Sequence, residues 1–200
     1  MIAGLLLASG ASRRFGSNKL VAPLGDRTVV RWSAEALAPA VDETWVVVPT
    51  HAAELLAALD GLPVRRVENP SAHEGMASSI RAGIAALPEH TEAVVITLGD
   101  EPSIDRDVIR RVVAAWRAAS PATAAVVSEY DDGRGHPVLF GAALFPTLLT
   151  LDGDRGAREL LVSLGDRVAR VVVPGPRPAD VDTPETLGAL ARAIGPTRAG

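Results

Sequence analysis

Ile2-Ala3-Gly4-Leu5-Leu6-Leu7 runs without a charge and gives way to Ala8-Ser9-Gly10-Ala11-Ser12-Arg13-Arg14-Phe15-Gly16-Ser17-Asn18-Lys19, a glycine-bearing segment that turns cationic. A continuous apolar run of strand length predicts a strand covered on both faces, as in a parallel sheet. The same stretch superficially resembles a secretory leader. It lacks a basic region before the apolar run, however, and Arg13 and Arg14 follow that run instead.

Working outward, apolar runs alternate with segments of helical period. Trp45–Val48, the weaker Val64–Val67, Ala93–Leu98, Ala124–Val127, Pro137–Phe140 and Arg167–Val173 read as strands, with Val64–Val67 at a sheet edge. Thr28–Ala38, Ala52–Leu59, Met76–Leu87, Asp105–Ala118, Arg155–Leu164 and Thr183–Ile194 read as helices. The alternation predicts one α/β domain over residues 1–195, with a mostly parallel central sheet between two helical layers. Residues 196–200 are expected to form a flexible tail.

Composition removes several classes of function. The 200 residues carry a net charge of −4 with both signs dispersed, which argues against a nucleic-acid face. There is no cysteine, so disulfides, thiolate metal sites and cysteine nucleophiles are all excluded. No run approaches the ~20 apolar residues of a membrane-spanning helix. A cytoplasmic protein is the expectation.

Ligands of open α/β sheets sit beyond the carboxyl ends of the strands. Two segments fall there: the loop after Leu7, and Gly99-Asp100-Glu101-Pro102 after the central strand. In the first, Gly10 and Gly16 permit close backbone approach, and Arg13, Arg14 and Lys19 supply charge suited to a polyphosphate. A polar connecting loop with surface arginines is the competing reading. The segment is neither a dinucleotide fingerprint, since Ser12 stands where glycine is needed, nor a Walker A loop, since Lys19 follows Ser17-Asn18. Asp100 and Asp182 form an acidic pair suited to hard, oxygen-preferring magnesium. Asp182 also precedes Thr183-Pro184-Glu185, so capping of the following helix is an equally ordinary role, and the two are compatible. His51, His73 and His90 have no metal-ligand spacing, Asp131-Asp132 reads as a solvated turn, and Trp32, Trp45 and Trp116 read as core.

The loop resembles the LAAGxSxRFGxxK signature of nucleotidyltransferases related to molybdenum cofactor cytidylyltransferase and molybdopterin–guanine dinucleotide synthase. It matches at Leu7, Ala8, Gly10, Ser12, Arg14, Phe15, Gly16 and Lys19 and departs at Ser9, where cytidylyl members have alanine and guanylyl members glycine. Further blocks follow in family order: Asn69-Pro70 with Gly75–Gly83, Gly99–Pro102, Gly135-His136-Pro137-Val138, Gly153–Arg158 and Asp180–Glu185.

The resemblance implies the Rossmann-like three-layer α/β/α nucleotidyltransferase fold and magnesium-dependent transfer of a nucleotidyl group, with CMP favoured over GMP. The acceptor is the phosphate of a molybdopterin-type cofactor, and pyrophosphate is released. Arg14, Lys19 and Asp100 are implied as catalytic residues. Leu7, Ala8, Ser9, Gly10, Ser12, Arg14, Lys19, Asn69, Gly75 and Ser79 would bind the nucleotide. Asp100 and Asp182 would hold Mg2+, and His136 and Pro137 would meet the acceptor. A transient contact with a molybdoenzyme would follow. The alternatives are a sugar-phosphate or phospholactate-type acceptor, and a non-catalytic chaperone for the molybdenum cofactor.

Overall fold

Side chains of the first strand, β1 (Ile2–Leu7), divide between two cores, Ile2 and Leu6 entering one, and Ala3, Leu5 and Leu7 the other. Such alternation makes an uncharged run the centre of a sheet, because both faces are covered. The computed structural model describes residues 1–10, 18–153 and 157–194.

After β1 come the small hairpin β2 (Pro23–Leu24) and β3 (Arg27–Thr28), then α1 (Val29–Leu37), β4 (Glu43–Pro49), α2 (Ala53–Ala58) and β5 (Val64–Asn69). The chain continues through α3 (Met76–Ala85), β6 (Ala93–Leu98), α4 (Arg106–Ala118), β7 (Ala125–Tyr130) and β8 (Gly133–Gly141). It ends with α5 (Phe145–Leu148), α6 (Arg158–Ser163), β9 (Val168–Val172) and α7 (Pro184–Ile194). Asp105 caps α4 by accepting from the Asp107 amide, as its acidic start predicts.

Seven strands form the main sheet in the order β5-β4-β1-β6-β8-β7-β9, with β8 antiparallel to both of its neighbours. The mostly parallel α/β/α architecture is thus observed. One core lies beneath α1, α2 and α4, through Val30, Leu37, Leu55, Ile109 and Val112. The other lies beneath α3, α5 and α6, through Ile80, Ile84, Leu148 and Leu161. Among the described residues, no helix is long and apolar enough to cross a membrane.

Three departures from the sequence reading matter. The strand expected over Pro137–Phe140 begins at Gly133, so the polar turn is part of β8. Hairpin β2–β3 and helix α5 are too short to leave a periodic signal. The helix expected from Arg155 is described from Arg158; Asp154, Arg155 and Gly156 lie outside the described residues, as does the tail 196–200.

The order of the strands positions the site. From β1 the chain moves outward through β4 to β5, then returns to place β6 on the other side of β1. The carboxyl ends of β1 and β6 therefore flank the topological switch point. Helix α3 forms the returning crossover and packs tightly on β1. A Cβ at Gly83 would lie 2.5 Å from both terminal methyls of Leu5. Gly83→Val should lower stability by about 1–3 kcal/mol through overpacking. Denaturant titration should show that Leu5→Ala in the same chain recovers part of the loss; strictly additive losses would mean that α3 does not depend on this contact.

Candidate active site

At the switch point the chain closes the gap between β1 and β6 with backbone. The Gly99 amide donates to the Leu7 carbonyl at 2.9 Å, and a Cβ at Gly99 would sit 3.2 Å from that oxygen. Glycine is thus needed where the two strand ends meet, and Asp100 follows at once. On the β1 side, Asn18 accepts from the Leu20 amide and winds the chain into a short turn that carries Lys19 inward.

Lys19 is 7% exposed, and its ammonium lies 2.6 Å from Asp100 Oδ2 and 2.7 Å from Asp182 Oδ1. Burial alone would push this amine down. The hydrogen bonds and charges of Asp100 and Asp182 outweigh it and hold the ammonium above its ordinary range. Asp182 reaches the site because Val181 is fully buried against Leu24 and Val29, with its amide donating to the Asp100 carbonyl at 2.9 Å. The start of α7 is served by Thr183, whose hydroxyl accepts from the Thr186 amide. Thr183 therefore provides the capping contact that the sequence left open to Asp182.

Two carboxylate oxygens thus lie within 2.7 Å of one point. Among the described residues, no group of three or more His, Cys, Asp or Glu could hold a metal ion. A pair is still a sufficient donor set for magnesium, which keeps waters and takes ligands from substrate phosphates. The residues therefore fit a small divalent cation that shares its coordination with a polyphosphate. Asp180, exposed on its outer side, is pushed up to about 6 by partial burial and then by the charges of Asp100, Glu101 and Asp182.

Toward β5 lies a polar network. Ser9 is buried, and its hydroxyl is 2.5 Å from that of Ser79. Asn69, at the end of β5, donates to Ser78 at 2.9 Å and to Ser79 at 3.1 Å. Ser78 donates to the carbonyl of Gly75, whose φ of 95° is one that glycine readily adopts. Ser9, Asn69, Gly75 and Ser79 are therefore brought together. Leu7 and Ala8 are buried and Gly10 is exposed. Ser12, Arg13, Arg14 and Gly16 lie outside the described residues.

On the opposite side of Asp100, β8 carries a bulge. Val127 pairs with Val138 and Ser128 with Gly135, which leaves His136 and Pro137 without partners on β7. Their carbonyls accept from the Tyr130 and Ser128 hydroxyls, at 2.7 Å and 3.0 Å, in place of ladder bonds. The bulge turns the His136 ring to Glu101, with Nδ1 2.9 Å from Oε1. Pro137 is buried, so it shapes the bulge, while His136 stays partly exposed. Asp131 and Asp132, expected as a solvated turn, accept from the Gly175 and Arg177 amides and staple the loop leading to Asp180. His51, His73 and His90 are exposed.

Sequence reasoning missed Glu101, Tyr130 and Val181. A lone charge between Asp100 and Pro102 in a tight turn was the available signal for Glu101. Tyr130 and Val181 act through burial and pairing, which leave no motif.

The MobA-like NTP transferase domain matches residues 4–168. The purine catabolism protein PucB of Bacillus subtilis is 31% identical, over 96% of both chains. A molybdenum cofactor guanylyltransferase of Cereibacter sphaeroides is 34% identical, over 74% of this chain and 71% of its own. Among solved structures, Rv0371c of Mycobacterium tuberculosis superposes with a TM-score of 0.83 at 33% identity, covering 96% of this chain and 97% of its own. A manganese complex of the same protein gives a TM-score of 0.79.

Lys19 holds the position that a cation between Asp100 and Asp182 would take. Lys19→Met should therefore tighten Mn2+ binding in the absence of nucleotide by about tenfold, or ~1.4 kcal/mol, as read by electron paramagnetic resonance titration. Unchanged or weaker binding would show that the ammonium does not compete for the site.

Proposed function

Because this chain belongs to the MobA-like NTP transferase domain family, we propose that it transfers a nucleotidyl group from a nucleoside triphosphate to the phosphate of a molybdopterin-type acceptor, with magnesium as its metal. The chain is a nucleotidyltransferase by that membership. The observation that carries the finer reading is the Lys19 ammonium set between Asp100 and Asp182 at the switch point. A catalytic lysine and a two-carboxylate pair at one strand end suit transfer of a phosphoryl centre better than binding alone, which has no need of the pair.

In the reaction, an oxygen of the acceptor phosphate bonds to the α-phosphorus. The bond from that phosphorus to its bridging oxygen breaks, and pyrophosphate leaves with the electron pair. The attacking oxygen is already ionised near neutral pH, so no general base is required. The protein's part is alignment and charge neutralisation. Asp100 and Asp182 would hold the cation, which neutralises phosphate charge when bound. Lys19 offers its ammonium to the phosphoryl oxygens, and Arg14 and the Gly10–Gly16 backbone would hold the triphosphate. Asn69, Gly75 and Ser79 would border the nucleoside, and His136 would meet the acceptor.

Cytidylyl transfer is favoured over guanylyl transfer. Ser9 places a buried side chain, bonded to Ser79, where guanylyl members leave only glycine. A structural relative solved in complex with manganese supports a divalent-ion requirement. A cytoplasmic location accords with a soluble cofactor substrate.

Pyrophosphate release from CTP, GTP, ATP and UTP, each with and without molybdopterin, tests the assignment. CTP with molybdopterin should react fastest; preference for GTP would reverse the base assignment, and turnover only with another phosphorylated acceptor would replace molybdopterin. Asp100→Ala should abolish metal-dependent release while preserving the fold. Lys19→Ala should cost about 2–4 kcal/mol of transition-state stabilisation, by analogy with loss of a preorganised charge-stabilising donor. Near-wild-type kinetics in both variants would remove the site.

A further inference from the structure

We propose that Glu101 is a positioning residue for the acceptor: it holds the His136 imidazole by Nδ1, so that Nε2 is the nitrogen offered to the acceptor's phosphate. This deepens the transferase reading above and rests on it.

The sheet order supplies the location. Ser9 after β1 and Asn69 at the end of β5 lie on one side of β6, and β8 with His136 lies on the other. A nucleoside bordered by Asn69, Gly75 and Ser79 therefore leaves the β8 side of Asp100 for the second substrate.

The ring is held from several directions. Tyr130 fixes the His136 carbonyl, Ser128 fixes that of Pro137, and Glu101 takes Nδ1. The Tyr130 hydroxyl is pushed up to about 12 by burial and by the Glu101 charge, so it remains a donor at working pH. With Nδ1 engaged, the His136 side chain keeps 22% of its surface exposed, and Nε2 makes no hydrogen bond among the described residues. That nitrogen is the one left for a ligand.

Glu101 itself is 6% exposed, and its second oxygen, Oε2, is buried with no hydrogen-bond partner among the described residues. An unpaired buried carboxylate oxygen is costly. A glutamine could accept the same Nδ1 hydrogen, so the bond alone does not require the charge. What the charge adds lies on the ring. Burial would push the imidazole down, but the Glu101 hydrogen bond and charge, with the Asp180 and Asp100 carboxylates, hold it above its ordinary value. The charges of Asp180 and Asp100 act on the ring, Lys19 pairs with Asp100, and Arg177 covers Gly135 beside it. The protonated form that this setting favours would grip a phosphate through a charge-assisted hydrogen bond.

Glu101→Gln keeps an acceptor for Nδ1 and removes the charge; Glu101→Ala removes both. In Glu101→Gln the acceptor KM should rise by about tenfold, the scale of losing charge assistance from one hydrogen bond, with the nucleotide KM within about twofold of wild type. Adding His136→Asn to Glu101→Ala should produce no further loss, because Glu101 acts through that ring. In the protein without nucleotide or acceptor, inorganic phosphate should shift the 15N signal of His136 Nε2, and about tenfold more phosphate should be needed in Glu101→Gln. Equal phosphate responses in the wild type and Glu101→Gln, or additive losses in the double variant, would overturn the proposal. Failure of the wild type to release pyrophosphate with any acceptor would instead count against the transferase reading, and the phosphate titration would still decide the role of Glu101.

Discussion

The contact between Lys19 and the two carboxylates of Asp100 and Asp182 holds together three parts of the chain that nothing local connects. Asp100 comes from the end of β6, Lys19 from the turn after the β1 loop, and Asp182 from a segment 163 residues beyond Lys19. Burying an ammonium is costly, and one carboxylate rarely compensates it. Here two share the task, and one of them, Asp182, keeps 53% of its side chain in solvent. The arrangement is secured by apolar packing: Val181, fully buried against Leu24 and Val29, anchors the strap that delivers Asp182. The hairpin β2–β3 and helix α7 are small additions to the sheet, but they supply this anchorage.

That anchorage divides the site. On the β5 side, Ser9, Ser79, Asn69 and Ser78 satisfy one another, giving a polar wall whose groups are already paired. A paired network in a buried setting is rigid, and suits recognition of a fixed shape. On the β8 side the device is a bulge. Two residues leave the ladder, their carbonyls are captured by Ser128 and Tyr130, and the displaced histidine is tied to a buried glutamate. One half of the site is preorganised by a closed network of neutral groups, the other by charge.

Negative charge is concentrated where these halves meet. Partial burial, joined by the nearby charges of Asp100, Glu101 and Asp182, pushes Asp180 up to about 6. Lys19 and the His136–Glu101 pair offset part of this density. The remainder is a field that a divalent cation would neutralise and that would hold its own carboxylates ready for one.

Local pattern made most of the fold legible. The uncharged runs Ile2–Leu7 and Ala93–Leu98 each specify a covered strand, because strand and helix periods are written in neighbouring residues. The glycine-bearing loop after Leu7 and Gly99–Pro102 marked the site for the same reason, since strand ends in such sheets are where ligands bind. The sequence by itself determined the layered architecture, the order of its elements and the segments that form the candidate site. Only the tertiary structure decided that Lys19 lies between Asp100 and Asp182, that Thr183 rather than Asp182 serves the helix start, and that Glu101 holds His136. Each of these depends on which strands become neighbours and on what is excluded from water around them. Neither is encoded within any one stretch of chain.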